Sequence, residues 1–130
     1  MMQLLLDSHI FIWAYSPDSK LPPHLKDLIF APENQIWLNI ATPWELQIKE
    51  QIGRLQLPTY SVEAFTSWQL RTRNIKVLDI NTQHIWTLKQ LPMHHRDPFD
   101  RIMIAQAIAE NLTVVSVDRV FSQYPVALLS

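Results

Sequence analysis

Residues 4–15 read LLLDSHIFIWAY, and the fold is decided here. Three leucines run into an acid, Asp7, and the chain resumes at Ser8 with a mainly apolar stretch out to Tyr15. Leu4 to Leu6 reads as a short buried strand, and Ser8 to Tyr15 as a helix closed by Pro17. A strand that stops on an aspartate and turns directly into a helix begins a βαβ unit. An ionisable group behind a buried apolar strand is costly unless it is paired or metal-bound, so Asp7 is the first candidate functional residue.

The same alternation continues along the chain. Pro22 and Pro23 suit the start of a second helix running to about Phe30. Gln35 to Leu38 is the second strand. Thr42 is the expected N-cap of a third helix, with Pro43 at its first position and Glu45 at the capping-box position; that helix stops at Gly53. Residues 60–72 have near-helical spacing. Ile75 to Ile80 is strand-like, and Asn81 or Thr82 caps a helix to about Leu91. Met93 to Asp97 is a loop. Pro98 opens the last long helix, whose expected buried face is Phe99, Ile102, Ile104, Ala105, Ile108 and Ala109. Thr113 to Val117 is a strand ending at Asp118, and Val126 to Leu129 a last short one. Strands separated by helices give an α/β three-layer sandwich, a central, mainly parallel sheet flanked by helices, as a single domain over residues 1–130. Such sheets bind ligands beyond the carboxyl ends of their strands, so Asp7 and Asp118 should face one crevice.

Composition narrows the chemistry. The chain has 130 residues, 48% of them hydrophobic, which suffices for a core. Cysteine is absent, so any metal must be held by oxygen or imidazole. The single glycine, Gly53, excludes a P-loop and a dinucleotide fingerprint. A formal net charge of −1 argues against a generic nucleic-acid coat, not against an enzyme that touches a few phosphates. The opening MMQLLLDSHIFIWAY lacks a basic leader and reads as strand and helix rather than signal peptide. No run of 18 apolar residues offers a membrane span, and the expected compartment is the cytoplasm.

Asp7, Glu45, Asp97, Asp100 and Asp118 are the candidate acids. Taken singly, Glu45 and Asp100 can complement a helix dipole in a first turn, Asp97 can cap the helix at Pro98, and Asp118 can be a turn residue. Taken together, carboxylates around one crevice raise one another's pKa, and a hard divalent cation offsets that repulsion. Oxygen-only ligation suits Mg²⁺ or Mn²⁺, which activates water and stabilises charge on phosphoryl oxygens. His9 caps or packs as readily as it serves chemistry. His94, His95 and Arg96 form a basic cluster before Asp97, either a solvated loop or a contact to substrate phosphates. No H-x-x-x-H pattern supports zinc.

Three blocks resemble the VapC-type PIN domains. LLLDSHIFIWAY is similar to the family's opening L-L-L-D-T-H; NIATPWELQIKEQIGRLQLP to its W-E-x-x-I-K block; and LPMHHRDPFDRIMIAQAIAENLTVVSVD to its H-R-D-P-F-D-R segment, strand and acid. The likeness runs from residue 2 to residue 129. It implies a PIN-like fold, Mg²⁺- or Mn²⁺-dependent endoribonuclease activity, and the toxin of a toxin–antitoxin pair, homodimeric and silenced by a cognate antitoxin. It places the catalytic and metal-binding acids on Asp7, Glu45, Asp100 and Asp118, with Asp97 as a nearby fifth. Asn39 and Thr42 stand where the family often has serines, Arg54 where it has lysine, and Val117 where threonine or serine is followed by arginine. Lys49, Arg54, Arg96 and Arg101 are candidates for phosphate contact, and for each a solvated surface role competes. The expected reaction is hydrolysis of single-stranded RNA, leaving a 5′-phosphate and a 3′-hydroxyl.

Rival readings fail on particular residues. A haloacid-dehalogenase-type phosphatase needs an aspartate two residues after the first, where His9 stands. A receiver domain needs an acidic pair before its phospho-acceptor strand. A non-catalytic binding module, or a PIN nuclease that is not a toxin, remains as the alternative. The five tryptophans suit an interface and a core equally.

Overall fold

The structure is a computed structural model and describes residues 1–17, 20–57 and 60–130; Pro58, at the end of the second motif block, lies outside them. The chain runs β1 (Gln3–Leu6), α1 (Ser8–Tyr15), α2 (Pro23–Phe30), β2 (Gln35–Asn39), α3 (Ala41–Gln51), α4 (Val62–Thr72), β3 (Ile75–Leu78), α5 (Thr82–Thr87), α6 (Pro98–Glu110), β4 (Thr113–Val115) and β5 (Leu128–Leu129). Single 3₁₀ segments occupy Leu88–Gln90 and Arg119–Gln123. Among the described residues no helix is long and apolar enough to cross a membrane.

The sheet has the order β3-β2-β1-β4-β5, and every neighbouring pair is parallel. The chain leaves β1 towards β2 and β3, then returns to the other side of β1 for β4 and β5. The direction of winding reverses between β1 and β4, and the crevice of an open parallel sheet forms at that point. Pairing of Leu6 with Val115 sets the register, so Asp7 and Ser116 are the first residues past the two strands.

Strand alternation divides the interior into two cores. Leu4, Leu6, Ile36, Leu38 and Val115 face one side, against Ile10 and Phe11 of α1, Leu25 of α2, Leu46 of α3 and Phe65 of α4. Leu5 and Val114 face the other, with Met103, Ile104 and Ala107 of α6 and with Phe121. β1 is buried over both faces, as its unbroken leucine run requires. The expected α/β sandwich is the fold observed.

Several local expectations need correction. Thr42 does not cap α3. The helix begins two residues before the expected first position, at Ala41, whose N–H is accepted by the side chain of Asn39. Glu45 therefore sits in the second turn, outside any capping box. β4 stops at Val115, so Asp118 does not follow the strand directly; Ser116 takes that place. The 75–80 strand ends at Leu78, the helix begun at Thr82 tightens to 3₁₀ at Leu88, and the last strand keeps only Leu128 and Leu129. On α6 Ala109 is exposed, and Gln106 is wholly buried.

That buried amide is a tie between layers. Gln106 Oε1 accepts from Asn39 Nδ2, and its Nε2 donates to Asp79 O at 3.3 Å. The same Asn39, one residue before the N-cap Ile40, holds the first N–H of α3, so α6 bears on where α3 starts. Gln106→Leu keeps most of the volume but strands the Asn39 amide, and should cost about 1–3 kcal/mol, read as a lower urea midpoint at unchanged slope.

Candidate active site

Asp7 occupies the N-cap of α1: its carbonyl accepts from Phe11 N at 2.9 Å, yet its side chain does not cap the helix. The carboxylate instead turns to neighbouring hydroxyls. Ser116 Oγ donates to Asp7 Oδ2 at 2.6 Å, and Ser8 Oγ lies 3.3 Å from Asp7 Oδ1 and 3.4 Å from Glu45 Oε2. Asp7 is only 5% exposed, so these contacts and the positive end of α1 keep its charge tolerable. Ser116 Oγ in turn accepts from Asp118 N at 3.1 Å, which bends the chain away from β4 and places Asp118 at the rim.

Glu45 enters from α3 and is also buried. It pairs with Lys49 one turn on, Oε2 to Nζ at 2.9 Å. Burial alone would lower the Lys49 pKa, but the Glu45 hydrogen bond and charge, with the charges of Asp7 and Asp97, outweigh it and hold the ammonium more firmly protonated. α6 supplies the remaining acids. Asp97 caps it, Oδ1 accepting from Phe99 N at 2.9 Å and Asp100 N at 3.3 Å. Trp44 and Phe99, ring centroids 5.1 Å apart and nearly perpendicular, brace α3 against the start of α6 and so hold Glu45 and Asp100 near each other.

Asp100 is the group on which the fields converge. Its pKa is pushed up to about 8, first by burial and then by the charges of Asp97, Asp7, Glu45 and Asp118. All five candidate acids thus share one electrostatic neighbourhood at the switch point. Among the described residues, however, no three His, Asp or Glu side chains form a ready ligand set for a metal ion. The carboxylate oxygens are instead engaged by Ser8, Ser116, Lys49 and helix N-termini.

The other candidates are placed differently. Asn39 and Thr42 are buried at the start of α3, where Asn39 supports the helix rather than lining the crevice. Lys49 and Arg54 border an open groove of ≈ 300 Å³ that also touches Glu45, Asp97 and Phe99. Arg96 is exposed. Arg101 is engaged, its Nη1 donating to Pro92 O at 3.0 Å and to the Tyr124 hydroxyl at 3.3 Å. Sequence reasoning overlooked Ser8 and Ser116 as partners of Asp7, although each directly follows or replaces an acid at a strand end. It also left His95 undecided; the structure turns this ring towards Asp100.

The raised Asp100 pKa sets a pH dependence. Between its ordinary value of 3.8 and about 8 the folded chain holds a proton that the unfolded chain has lost. Its contribution to stability is therefore full below the ordinary value and lost as pH rises through the folded one. In chelator-treated protein, urea midpoints should decline across this window, and the decline should be shallower in Asp100→Asn.

The comparisons agree with this architecture. The VapBC2 structure from Rickettsia felis bound to a DNA fragment from its promoter includes a chain matching this one at TM-score 0.70, with 20% identity over 98% of both chains. The VapBC-1 structure from nontypeable Haemophilus influenzae matches at TM-score 0.66, with 17% identity over 99% of this chain and 98% of the other. No curated protein matches the sequence. The model of the PIN domain matches residues 4–127, which includes all five acids, β2, β3, β4 and all of β1 but Gln3, and the chain belongs to the PIN domain family.

Proposed function

We propose that this chain is a divalent-metal-dependent endoribonuclease and the toxin of a toxin–antitoxin pair. The observation that carries the reading is the convergence of four like charges on Asp100 at the switch point of a parallel sheet. A protein gains nothing in stability from such a crowd of acids, and perturbed carboxyls in a crevice mark sites of chemistry. The PIN match and the likeness in fold to chains in VapBC structures support the same reading.

The residues present fit a hard cation: the donors are carboxylates, and the repulsion that lifts Asp100 is what a divalent charge relieves. Asp7, Glu45, Asp100 and Asp118 would hold Mg²⁺ or Mn²⁺, with Asp97 beside them. Bound there, the ion would supply Lewis-acid polarisation of the phosphodiester and activation of water. Ser116 and Ser8 orient Asp7 by accepting no charge themselves and donating their hydroxyl protons. Lys49 and Arg54 place positive charge along the groove next to Glu45, where a phosphate backbone would run. Arg96 is free to add a further phosphate contact; Arg101 is better described as a brace. Hydrolysis adds water across a P–O3′ bond of single-stranded RNA and leaves a 5′-phosphate and a 3′-hydroxyl. We assign the cytoplasm as the working compartment, a homodimer as the working form, and a cognate antitoxin as the silencing partner; a guanidinium from that partner would match the carboxylates bidentately.

The test is cleavage of an RNA panel with and without Mn²⁺ or Mg²⁺. Wild type should cleave only with the ion, Asp7→Asn should lose at least about 100-fold, and Ser116→Ala about 10- to 100-fold, the range for an outer partner of a ligand. Equal cleavage by wild type and Asp7→Asn overturns the site. A wild type that neither cleaves nor binds metal by calorimetry favours a non-catalytic binding module. Expression without a cognate antitoxin should arrest growth, and a harmless chain that still cleaves RNA would be a PIN nuclease outside any toxin role.

A further inference from the structure

His95 lies on the segment before α6 and is the imidazole that approaches the carboxylate crevice. Its Nδ1 is 2.7 Å from the Tyr124 hydroxyl, and the two rings are 5.4 Å apart at 60°. Its Nε2 is 3.4 Å from Asp100 Oδ2, sealed from solvent, and without a fully formed hydrogen bond.

The surroundings of Tyr124 fix which ring nitrogen carries the proton. The Tyr124 oxygen already receives two N–H groups, the backbone N–H of His95 at 3.3 Å and Nη1 of Arg101 at 3.3 Å. Its own proton needs an acceptor, and the one within reach among the described residues is His95 Nδ1. A neutral imidazole has one accepting and one donating nitrogen, so the ring proton sits on Nε2. That N–H faces Asp100 Oδ2 and has no other partner. Asp100 Oδ2 is the oxygen this N–H faces at 3.4 Å, and Oδ1 is left to carry a proton or a ligand, so the arrangement does not depend on the charge of the carboxyl. Arg101, anchored on Pro92 O at 3.0 Å, closes the loop that holds Tyr124 and His95 together.

We propose that His95 is a positioning residue: locked by Tyr124 as its Nε2–H tautomer, it directs the Asp100 carboxyl into the crevice. The consequence for activity rests on the ribonuclease reading above; the tautomer does not. Outer partners that orient a ligand carboxylate are worth about 10- to 100-fold in metal affinity or activity.

Two measurements on the full chain test it. Nitrogen NMR of the His95 ring in metal-free protein should show a protonated Nε2 and a bare Nδ1; in Tyr124→Phe the other tautomer should become comparably populated. An Nδ1–H ring in the unsubstituted chain overturns the proposal, whatever the activity. In RNA cleavage, His95→Leu should lower kcat about 10- to 100-fold with KM unchanged, and His95→Gln, which keeps an N–H near the Nε2 position, should recover a substantial part. A fully active His95→Leu, or Gln and Leu variants equally impaired, overturns it. If the unsubstituted chain shows the expected tautomer but cleaves no RNA, the ribonuclease reading fails and the His95–Asp100 arrangement stands.

Discussion

A carboxylate at the end of the most buried strand is the constraint around which this molecule is arranged. β1 is covered on both faces, and Asp7 follows it with no residue between to carry it to solvent. Left alone, its charge would cost several kcal/mol. Two serine hydroxyls and the start of α1 accommodate it; Ser8 comes with the helix, and Ser116 is delivered by the parallel sheet. β4 must pair beside β1 in one register for Ser116 to meet Asp7. Register, crevice and the geometry of the carboxylate are therefore one problem with one solution.

The remaining acids are placed by different means, and their exposure follows. Glu45 and Asp100 project from helices that are pinned together by an aromatic pair and a buried amide network. Asp97 and Asp118 each spend one oxygen on a helix N-terminus and stand at the rim. The inner carboxyls are thus fixed while the outer ones retain a free oxygen. Lys49 is the cation built into the cluster, and it offsets part of the charge without filling the centre.

The sequence displays the parts of this arrangement that are local. The bounds of β1 and α1 follow from an apolar run meeting an acid, and α6 from an aspartate preceding a proline at its first turn. The acids are legible because each stands at an element boundary. What cannot be read is set by contacts between distant residues. Thr42, Pro43 and Glu45 mimic a capping box, but Asn39, held by Gln106 from 67 positions away, takes the role first. The run Thr113–Val117, β-branched except at Ser116, suggests a longer strand, yet Asp7 and the Asp118 amide both claim Ser116 and end it. The tautomer of His95 depends on a tyrosine 29 residues later. Periodicity carries no trace of such pairings.

The pairing of Asp7 with Ser116 spans 109 positions, nearly the length of the described chain. The carboxylate is laid down with β1, whereas the hydroxyl that orients it arrives only with the segment after β4. A growing chain has β1 to β3 available long before β4 can slot in at the edge of β1. The crevice therefore closes only when β4 docks beside β1, and a partly folded sheet of β1 to β3 holds Asp7 without the hydroxyl that orients it.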